Sequence, residues 1–534
     1  MTSNASERLV QMNRAGHRRG GGIGRWALII GLILAASFAL PARGRAEDDH
    51  PTALNLWPVY DERVDPLDGA RDQSGLGPML WSSRSPDGDT REYALRPLFF
   101  WREEMASRKL EWEFLYPLMT YRRLQGDWEF QFIHFLSGRG EGSPQAGREV
   151  HRDFFPFYFS GVRENGEAYF GILPFWGKVY DRFFGEEWEW IGFPLYVRTV
   201  RTGTETHFFP WPLISVTRGV EPEPAHRGFR IVPLYGQEVK EGVFEKYFAL
   251  WPLFLYERVG LDGNEPEEIF SILPFYVGRR SPPRDSTTLL WPIFTYTDDR
   301  QERYEQWDVL WPIFRYTRGE DRQSFRLLPF YGEDRKVLHN AYLFREIRYR
   351  DRAVLYPLYI RNEEEYPDGR RVRDRILWYL YSDKREEDKD GSSRRIDAWP
   401  VFFYERDREG TVRFQTLALL EAFTPGNEWI DRNYSPLWSV YTYRANAEGG
   451  EVYSFLWNLV RHEETTAGRS IEVLGPLLAY REAGDDSTFS LLGGLFQYEV
   501  HQGERSVRLF GDPVIAWKES PALRVALDPA GGTR

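Results

Sequence analysis

The sequence has 534 residues and no cysteine. The chain can therefore form no disulfide bond, has no thiol nucleophile, and cannot carry a lipid on an N-terminal cysteine. Histidine is also scarce, with nine residues: His17, His50, His134, His151, His207, His226, His339, His462 and His501. No two of them have the spacing of an H-E-x-x-H metal-binding motif, so a zinc-type catalytic centre is not indicated.

Other catalytic signatures are missing too. No G-x-S-x-G elbow is present. Asp388, Asp390 and Ser392 alternate as in a calcium loop, but Asp397 lies beyond the position of a closing carboxylate, and we interpret the stretch as a charged hairpin tip. The sequence predicts a protein that is not an enzyme and uses no metal or cofactor. A glycan-acting enzyme stays open, because carboxylate pairs cannot be identified from sequence.

The chain lacks an apolar run of bilayer-spanning length. Its longest is residues 26–40, preceded by the basic stretch 14–25 and followed by small residues near Ala46. Fifteen apolar residues fall short of the ~20 that a membrane span needs. The order of basic, apolar and small-residue regions predicts a signal peptide over 1–46, which engages the export machinery and the inner membrane. An uncleaved anchor is the alternative.

Positive charge is in deficit once that leader is removed. Residues 1–46 carry seven Arg and one Glu, so their loss takes the formal net charge from −11 to −17. Nucleic acids and anionic lipid headgroups both favour basic patches. We therefore expect no nucleic-acid partner, and the net negative charge also makes anionic lipid headgroups a poor candidate.

Against these absences stands a repeat of about 20 residues that fills the chain after the leader. Its mark is a proline that follows an aromatic or aliphatic pair and precedes Leu, Phe or Ile. Phrases such as "LWPIFTYT" (290–297) and "ILPFYVG" (272–278) show its two forms. The motif residues are Trp57, Pro58, Pro97, Pro117, Pro156, Pro174, Pro194, Trp211, Pro212, Pro233, Trp251, Pro252, Pro274, Trp291, Pro292, Trp311, Pro312, Pro329, Pro357, Trp399 and Pro400, with later members at Pro436 and Pro476 and degenerate copies at 375–383 and 454–462.

Charged, turn-forming pieces such as "RENGE" (163–167) and "YPDGR" (366–370) separate the motifs. Asn-Gly and Asp-Gly between apolar runs are strong hairpin signals, so the pattern predicts an all-β antiparallel meander without helices after the leader. In residues 250–258 both alternating faces are apolar around Pro252. We expect a strand buried on both sides there, with the proline at a bend or bulge and the motif tryptophans in the core.

The repeats are expected to close into a ring of radiating hairpins, propeller-like or flower-like, over 47–534, with a break into two sub-rings near 333–352. Two repeats match the length of a propeller blade. The W-P-[LIV]-F-x-Y phrases resemble those of uncharacterised exported bacterial β-repeat proteins with a flower-like fold of radiating hairpins. That resemblance implies no catalytic residues.

The prediction for function is an exported cell-envelope scaffold or binding protein, in the periplasm or at the outer membrane. Its expected ligand is apolar or amphipathic, and its expected partner is an envelope lipid, glycan or protein. The main alternative is an outer-membrane β-barrel. Two-sided burial of the strand centres and the repeated prolines argue against that alternative.

Overall fold

The computed structural model describes residues 54–133, 135–141, 149–183, 185–220, 225–340 and 345–518. The chain divides into Met1–Thr52 and Ala53–Arg534, and only the second unit contains described residues. The predicted leader, 1–46, lies outside them. No helix in the described ranges is long and apolar enough to cross a membrane.

The described part consists of 46 strands. The first twelve are β1 Leu54–Leu56, β2 Tyr60–Val64, β3 Arg71–Gly75, β4 Leu80–Arg84, β5 Thr90–Leu95, β6 Phe99–Glu104, β7 Lys109–Phe114, β8 Met119–Leu124, β9 Asp127–Phe132, β10 Leu136–Glu141, β11 Glu149–Phe154 and β12 Tyr158–Val162. The next twelve are β13 Ala168–Ile172, β14 Trp176–Arg182, β15 Gly185–Ile191, β16 Tyr196–Arg201, β17 Thr204–Phe208, β18 Ile214–Gly219, β19 His226–Ile231, β20 Tyr235–Lys240, β21 Phe244–Ala249, β22 Phe254–Val259, β23 Glu267–Ile272 and β24 Tyr276–Arg280.

The remaining strands continue the same alternation. They are β25 Arg284–Leu289, β26 Phe294–Asp299, β27 Tyr304–Val309, β28 Phe314–Gly319, β29 Arg322–Leu327, β30 Tyr331–Asn340, β31 Arg345–Val354, β32 Tyr359–Tyr366, β33 Gly369–Ile376, β34 Tyr381–Asp388, β35 Gly391–Ala398, β36 Phe402–Arg406, β37 Val412–Thr416, β38 Tyr441–Ala445, β39 Glu451–Phe455, β40 Val460–Thr465, β41 Gly468–Val473, β42 Leu478–Ala483, β43 Asp486–Leu491, β44 Phe496–His501, β45 Glu504–Leu509 and β46 Asp512–Lys518. The predicted absence of helices is wrong at one connection, where α1 (Glu428–Asn433) and α2 (Ser435–Trp438) lie between β37 and β38.

All strands belong to one antiparallel sheet in which each strand pairs with the next in sequence. The predicted all-β antiparallel meander is confirmed. Closure differs from the expectation, because within the described residues β1 pairs only with β2 and β46 only with β45. Residues 333–340 and 345–352 lie in β30 and β31, which are paired from Tyr331↔Val354 to Asn340↔Arg345.

The two faces of this sheet have different chemistry. Directly opposed residues share a face, so the register carries each face from strand to strand. We define the outer face by Tyr296, Trp307 and Tyr316. Trp307 lies opposite Tyr296 on one neighbouring strand and opposite Tyr316 on the other, with ring centroids 5.4 and 5.7 Å away, respectively. We define the inner face by its alternating neighbours, such as Thr297 and Gln306, which are buried.

The expectation of strands buried on both sides is therefore wrong. Pro252 lies in the turn between β21 and β22, so the apolar residues around it belong to a turn and to two different strands. A turn accommodates proline readily, because the missing N–H is not needed for a ladder bond. The alternating faces assigned across 250–258 merged the turn with the strand after it, whereas the expected place of the proline, between two short strand segments, agrees with the structure.

Packing on the inner face is local in the first third of the sheet. Phe159, Tyr169, Val179, Trp190 and Val197 form a buried cluster from neighbouring strands. Gly171 and Gly177 make room for the Trp190 ring, since a Cβ on either glycine would lie 2.3 Å from that ring. Burial thus comes mainly from side chains of adjacent strands.

Candidate functional site

One edge of the sheet carries the repeat motif. In a meander, all connections from an odd-numbered to an even-numbered strand lie at the same edge, and the motif prolines Pro58 to Pro400 all lie in such connections. Each of them follows a cis peptide bond, as does Pro210. We call this edge the apolar edge, and define it by the residues of those connections, for example 250–253, 290–293 and 310–313.

Large apolar side chains project from these turns into solvent. Trp251, Trp291 and Trp311 are 53%, 56% and 51% exposed. Their predicted place in the core is therefore wrong. The neighbouring turns present Phe175, Leu195, Leu234, Phe275, Phe330 and Val401, all more than half exposed.

The backbone of the apolar edge is hydrogen-bonded within the edge itself. In the turn 250–253, the Leu250 and Trp251 N–H groups donate to Leu234 O (2.8 Å) and Pro233 O (2.6 Å) of the preceding turn, and the Leu253 N–H donates to Leu250 O (2.8 Å). Because Pro252 has no N–H, every N–H of this turn is paired.

The same turn-to-turn bonds recur along the chain. The Trp311 N–H donates to Pro292 O (2.9 Å) and the Tyr356 N–H to Pro329 O (2.6 Å). Degenerate copies keep the arrangement, since Leu377, in the first of them, donates to Leu358 O (2.9 Å). The apolar edge is thus a continuous hydrogen-bonded rim.

Polarity changes along the outer face of strands such as β26 and β28. The residue beside the turn is apolar or aromatic, as in Phe294 and Phe314, and the next outer-face residue is an aromatic such as Tyr296 or Tyr316. A charged residue follows, for example Asp298. The opposite edge, formed by the even-to-odd connections, is built of turns such as 163–167 and 366–370 and is rich in charge.

Charges come closer to the apolar edge at β30 and β31. On the outer face Arg335, Arg350 and Arg352 surround Glu333, with nitrogen-to-carboxylate distances of 3.0, 2.7 and 3.2 Å. These arginine side chains keep 52%, 36% and 32% of their surface exposed, against 19% for the carboxylate. Three arginines thus contact one carboxylate, and a second carboxylate, Glu363, lies opposite Arg350 on the same face, so the group keeps a small local excess of positive charge.

A second feature joins the first strands of the sheet to a region five strands before its other end, and we call it the polar seam: the contacts of β1–β8 with residues 421–475. Asn55 donates to Glu472 Oε2 (3.0 Å), and Asn458 donates to Asp61 Oδ2 (2.9 Å). Arg63, 8% exposed, pairs with Asp61 (2.5 Å) and Glu472 (3.5 Å). The contacting side chains lie on the inner face of both parts, so the sheet turns this face toward itself.

The helical connection supplies the other half of the polar seam. Asn427 caps α1 by accepting from the Trp429 and Ile430 N–H groups. The Trp429 ring stacks on Tyr116 at 6.0 Å, and the Tyr434 hydroxyl donates to Tyr116 O (2.7 Å). Helix α1 is therefore held against the turn after β7.

Glu113 lies at the centre of this contact and is 2% exposed. Asn433 Nδ2 donates to Glu113 Oε2 (3.0 Å). Within the described chain no group hydrogen-bonds to the other two buried oxygens, Glu113 Oε1 and Asn433 Oδ1. Burial, followed by the nearby charge of Glu111, raises the pKa of Glu113 to about 8. A protonated Glu113 can donate to Asn433 Oδ1 and complete a two-bond acid–amide pair.

The stretch that resembles a calcium loop lies apart from both features, whereas the later motif prolines Pro436 and Pro476 lie in odd-to-even connections. Asp388 and Asp390 form the turn between β34 and β35, where the Asp390 N–H donates to Asp388 Oδ1 (2.9 Å) and Arg408 pairs with Asp388 (2.7 Å). In the described ranges no group of three or more His, Asp or Glu residues could hold a metal ion. Pro436 lies in α2, and Pro476 in a 3-10 turn.

Sequence reasoning missed two elements of the site. The hydrogen-bonded rim had a signal, because Leu, Trp or Phe recurs beside each motif proline. The polar seam had none, because it joins residues more than 300 positions apart, such as Glu113 and Asn433.

No protein-family model and no curated protein matches this chain. The resemblance to exported β-repeat proteins therefore stays a prediction, and the argument for function depends on the geometry.

Proposed function

We propose that this protein is an exported cell-envelope scaffold, not an enzyme, that attaches through its apolar edge to an apolar or amphipathic surface. The observation that carries the proposal is the row of exposed Trp, Leu, Ile and Phe side chains in most of the turns along one edge of the sheet. Contiguous exposed apolar surface of this extent marks an interaction site in soluble proteins.

The paired backbone of the edge supports this function. A surface that enters an apolar environment must leave no N–H unsatisfied, since each such group costs several kcal/mol in a medium without water. Leu250, Trp251 and Leu253 meet this requirement through bonds within and between turns. The apolar edge can therefore be buried without new backbone partners.

The short height of the apolar zone favours attachment to a surface over a strand that spans a membrane. It comprises a turn and about two outer-face residues per strand, and most strands have only five or six residues. A membrane-spanning strand needs ~9–11 residues. Because the two faces of each strand differ in chemistry, two-sided burial no longer argues against an outer-membrane barrel. The short apolar zone supports surface attachment instead.

The carboxylates of the polar seam favour a scaffold over a glycan-acting enzyme. Glycoside hydrolysis needs two carboxyl groups that both reach the substrate. Glu113 is covered by Asn433, and Asp61 and Glu472 are occupied by Arg63. These groups hold the polar seam together.

The test is partition into a nonionic detergent phase. Leu195→Ser, Leu234→Ser and Leu253→Ser together remove three exposed side chains from the apolar edge. The matched control removes three similarly exposed apolar side chains at the charged edge, Met105→Ser, Leu124→Ser and Val220→Ser.

We expect the protein to enter the detergent phase and the apolar-edge variant to stay in the aqueous phase, because each lost leucine removes ~1.5–3 kcal/mol of burial. The control should behave like the unaltered protein. Equal partition of both variants would contradict the proposed function.

A further inference from the structure

We infer that the surface bound by the apolar edge is one leaflet of a lipid bilayer with phosphate-bearing headgroups, and that Arg335, Arg350 and Arg352 contact those headgroups. This inference rests on the proposed function and names its partner.

The polarity profile of the outer face matches a bilayer surface in depth. At ~3.3 Å per residue, the turn and the two apolar outer-face residues of a strand make a layer of ~10 Å. Segments that lie in the membrane interface bury their apolar side ~5–10 Å into the boundary between headgroups and acyl chains. The charged residues that follow, such as Asp298, would then lie at or beyond the level of the headgroups.

The aromatic residues are at the expected level. Trp and Tyr concentrate where the hydrocarbon meets the headgroups, because one part of each ring is apolar and the other is polar. Here Trp251, Trp291 and Trp311 are at the turns, and Tyr256, Tyr296 and Tyr316 follow on the outer face.

A second copy of the chain fits less well. Two apolar edges in contact would cover the turn side chains but leave the outer-face aromatics in water. Tyr316, Phe270 and Phe325 are 42%, 45% and 43% exposed and lie beyond the turns. Fluid lipid surrounds a rim and can cover both levels.

The arginine group around Glu333 gives the charge complementarity. Strand β31 ends at Val354, beside the turn. Arg352 is two residues before that end, or ~7 Å from the turn, and Arg350 is four residues before it, or ~13 Å from the turn. That range spans the level of lipid phosphates when the turns reach the acyl chains. Arginine pairs with phosphate through two parallel hydrogen bonds, and each basic residue near an anionic membrane strengthens binding about five-fold.

The experiment uses protein purified from exporting cells and two vesicle types: phosphatidylcholine alone, and equal parts of phosphatidylcholine and phosphatidylglycerol. Binding is measured by co-sedimentation. Depth is measured by quenching of Trp fluorescence with lipids brominated on the acyl chains. We expect binding to both vesicle types, tighter with phosphatidylglycerol, and quenching that decreases in the variant Trp251→Phe, Trp291→Phe, Trp311→Phe.

Arg350→Gln with Arg352→Gln should weaken binding to the phosphatidylglycerol vesicles about 10- to 30-fold and weaken phosphatidylcholine binding less, because the choline cation offsets the phosphate charge. The control, Arg227→Gln with Arg303→Gln, neutralises exposed arginines at the charged edge and should change neither.

Partition into detergent without vesicle binding would overturn the inference and leave the proposed function intact, with a protein surface as the partner. A dimer in solution that the apolar-edge leucine variant dissociates would also overturn the inference. Equal effects of both arginine pairs would refute the headgroup contact. Failure to enter detergent would refute the proposed function itself.

Discussion

Glu113→Gln should stabilise the polar seam at neutral and alkaline pH. The closed seam keeps Glu113 protonated to a pKa of about 8, whereas an opened seam returns its pKa to the ordinary value of 4.5. Between those values the closed state holds one more proton than the open state. Stability of the seam is therefore greatest below pH 4.5 and decreases as the pH rises to about 8.

The size of the stability loss follows from the width of the pH interval between the two pKa values. Each pH unit costs about 1.4 kcal/mol, so the total loss is on the order of 5 kcal/mol above pH 8, of which roughly 3 kcal/mol is already lost at pH 7. Glutamine keeps the bond from Asn433 Nδ2 and can donate its own N–H to Asn433 Oδ1, without taking up a proton. The charged groups around the position are Glu111, Arg122 and Arg432.

Hydrogen exchange of α1 and β7 amides is the suitable assay, because a 46-strand sheet is not expected to unfold in one step. In the unaltered protein, protection factors should fall by up to ten-fold per pH unit between pH 5 and 8. In Glu113→Gln they should stay flat, and at pH 7 exceed the unaltered values by on the order of a hundred-fold.

Glu129→Gln, at an exposed position two strands away, is the matched control and should keep the pH dependence. The reasoning is refuted if Glu113→Gln has the same slope as the unaltered protein, because the seam would then not depend on a protonated Glu113.

Two further predictions concern stability. Gly171→Ala should destabilise β13–β15 by about 1–3 kcal/mol, because the new Cβ would lie 2.3 Å from the Trp190 ring. The control in a thermal unfolding series is Gly126→Ala, whose Cβ would have no atom within 4 Å. Equal shifts of the unfolding temperature in both variants would contradict the packing argument. Arg63→Gln should open the polar seam by about 3–5 kcal/mol, because it leaves buried Asp61 without its cation and Glu472 with Arg481 alone. Arg71→Gln, at an exposed ion pair with Glu62, should cost under about 1 kcal/mol, and comparable loss of protection in β1 and β2 in both variants would argue against the seam.

The repeat and its strand class were predictable because they are local. The spacing of the prolines and the Asn-Gly and Asp-Gly tips specify turns at regular distance, and turns at regular distance specify a meander. The exposed position of each motif proline was harder to predict from the sequence. "LWPL" at 250–253 is apolar throughout, and apolar residues ordinarily indicate burial, whereas here they form an exposed turn.

The polar seam could not be predicted from sequence at all. Glu113 and Asn433 are 320 positions apart, and no local pattern marks Glu113 as buried among the chain's many acidic residues. Only the folded sheet shows that its inner face meets itself there. The arginines around Glu333 were equally hidden, because strand register decides that they share a face.

The most direct test of the account is fractionation of the native cell with N-terminal sequencing of the mature protein. The account predicts a chain that starts near Glu47, sediments with envelope membranes and is released by detergent. Recovery in the soluble periplasmic fraction, without detergent, would contradict attachment through the apolar edge.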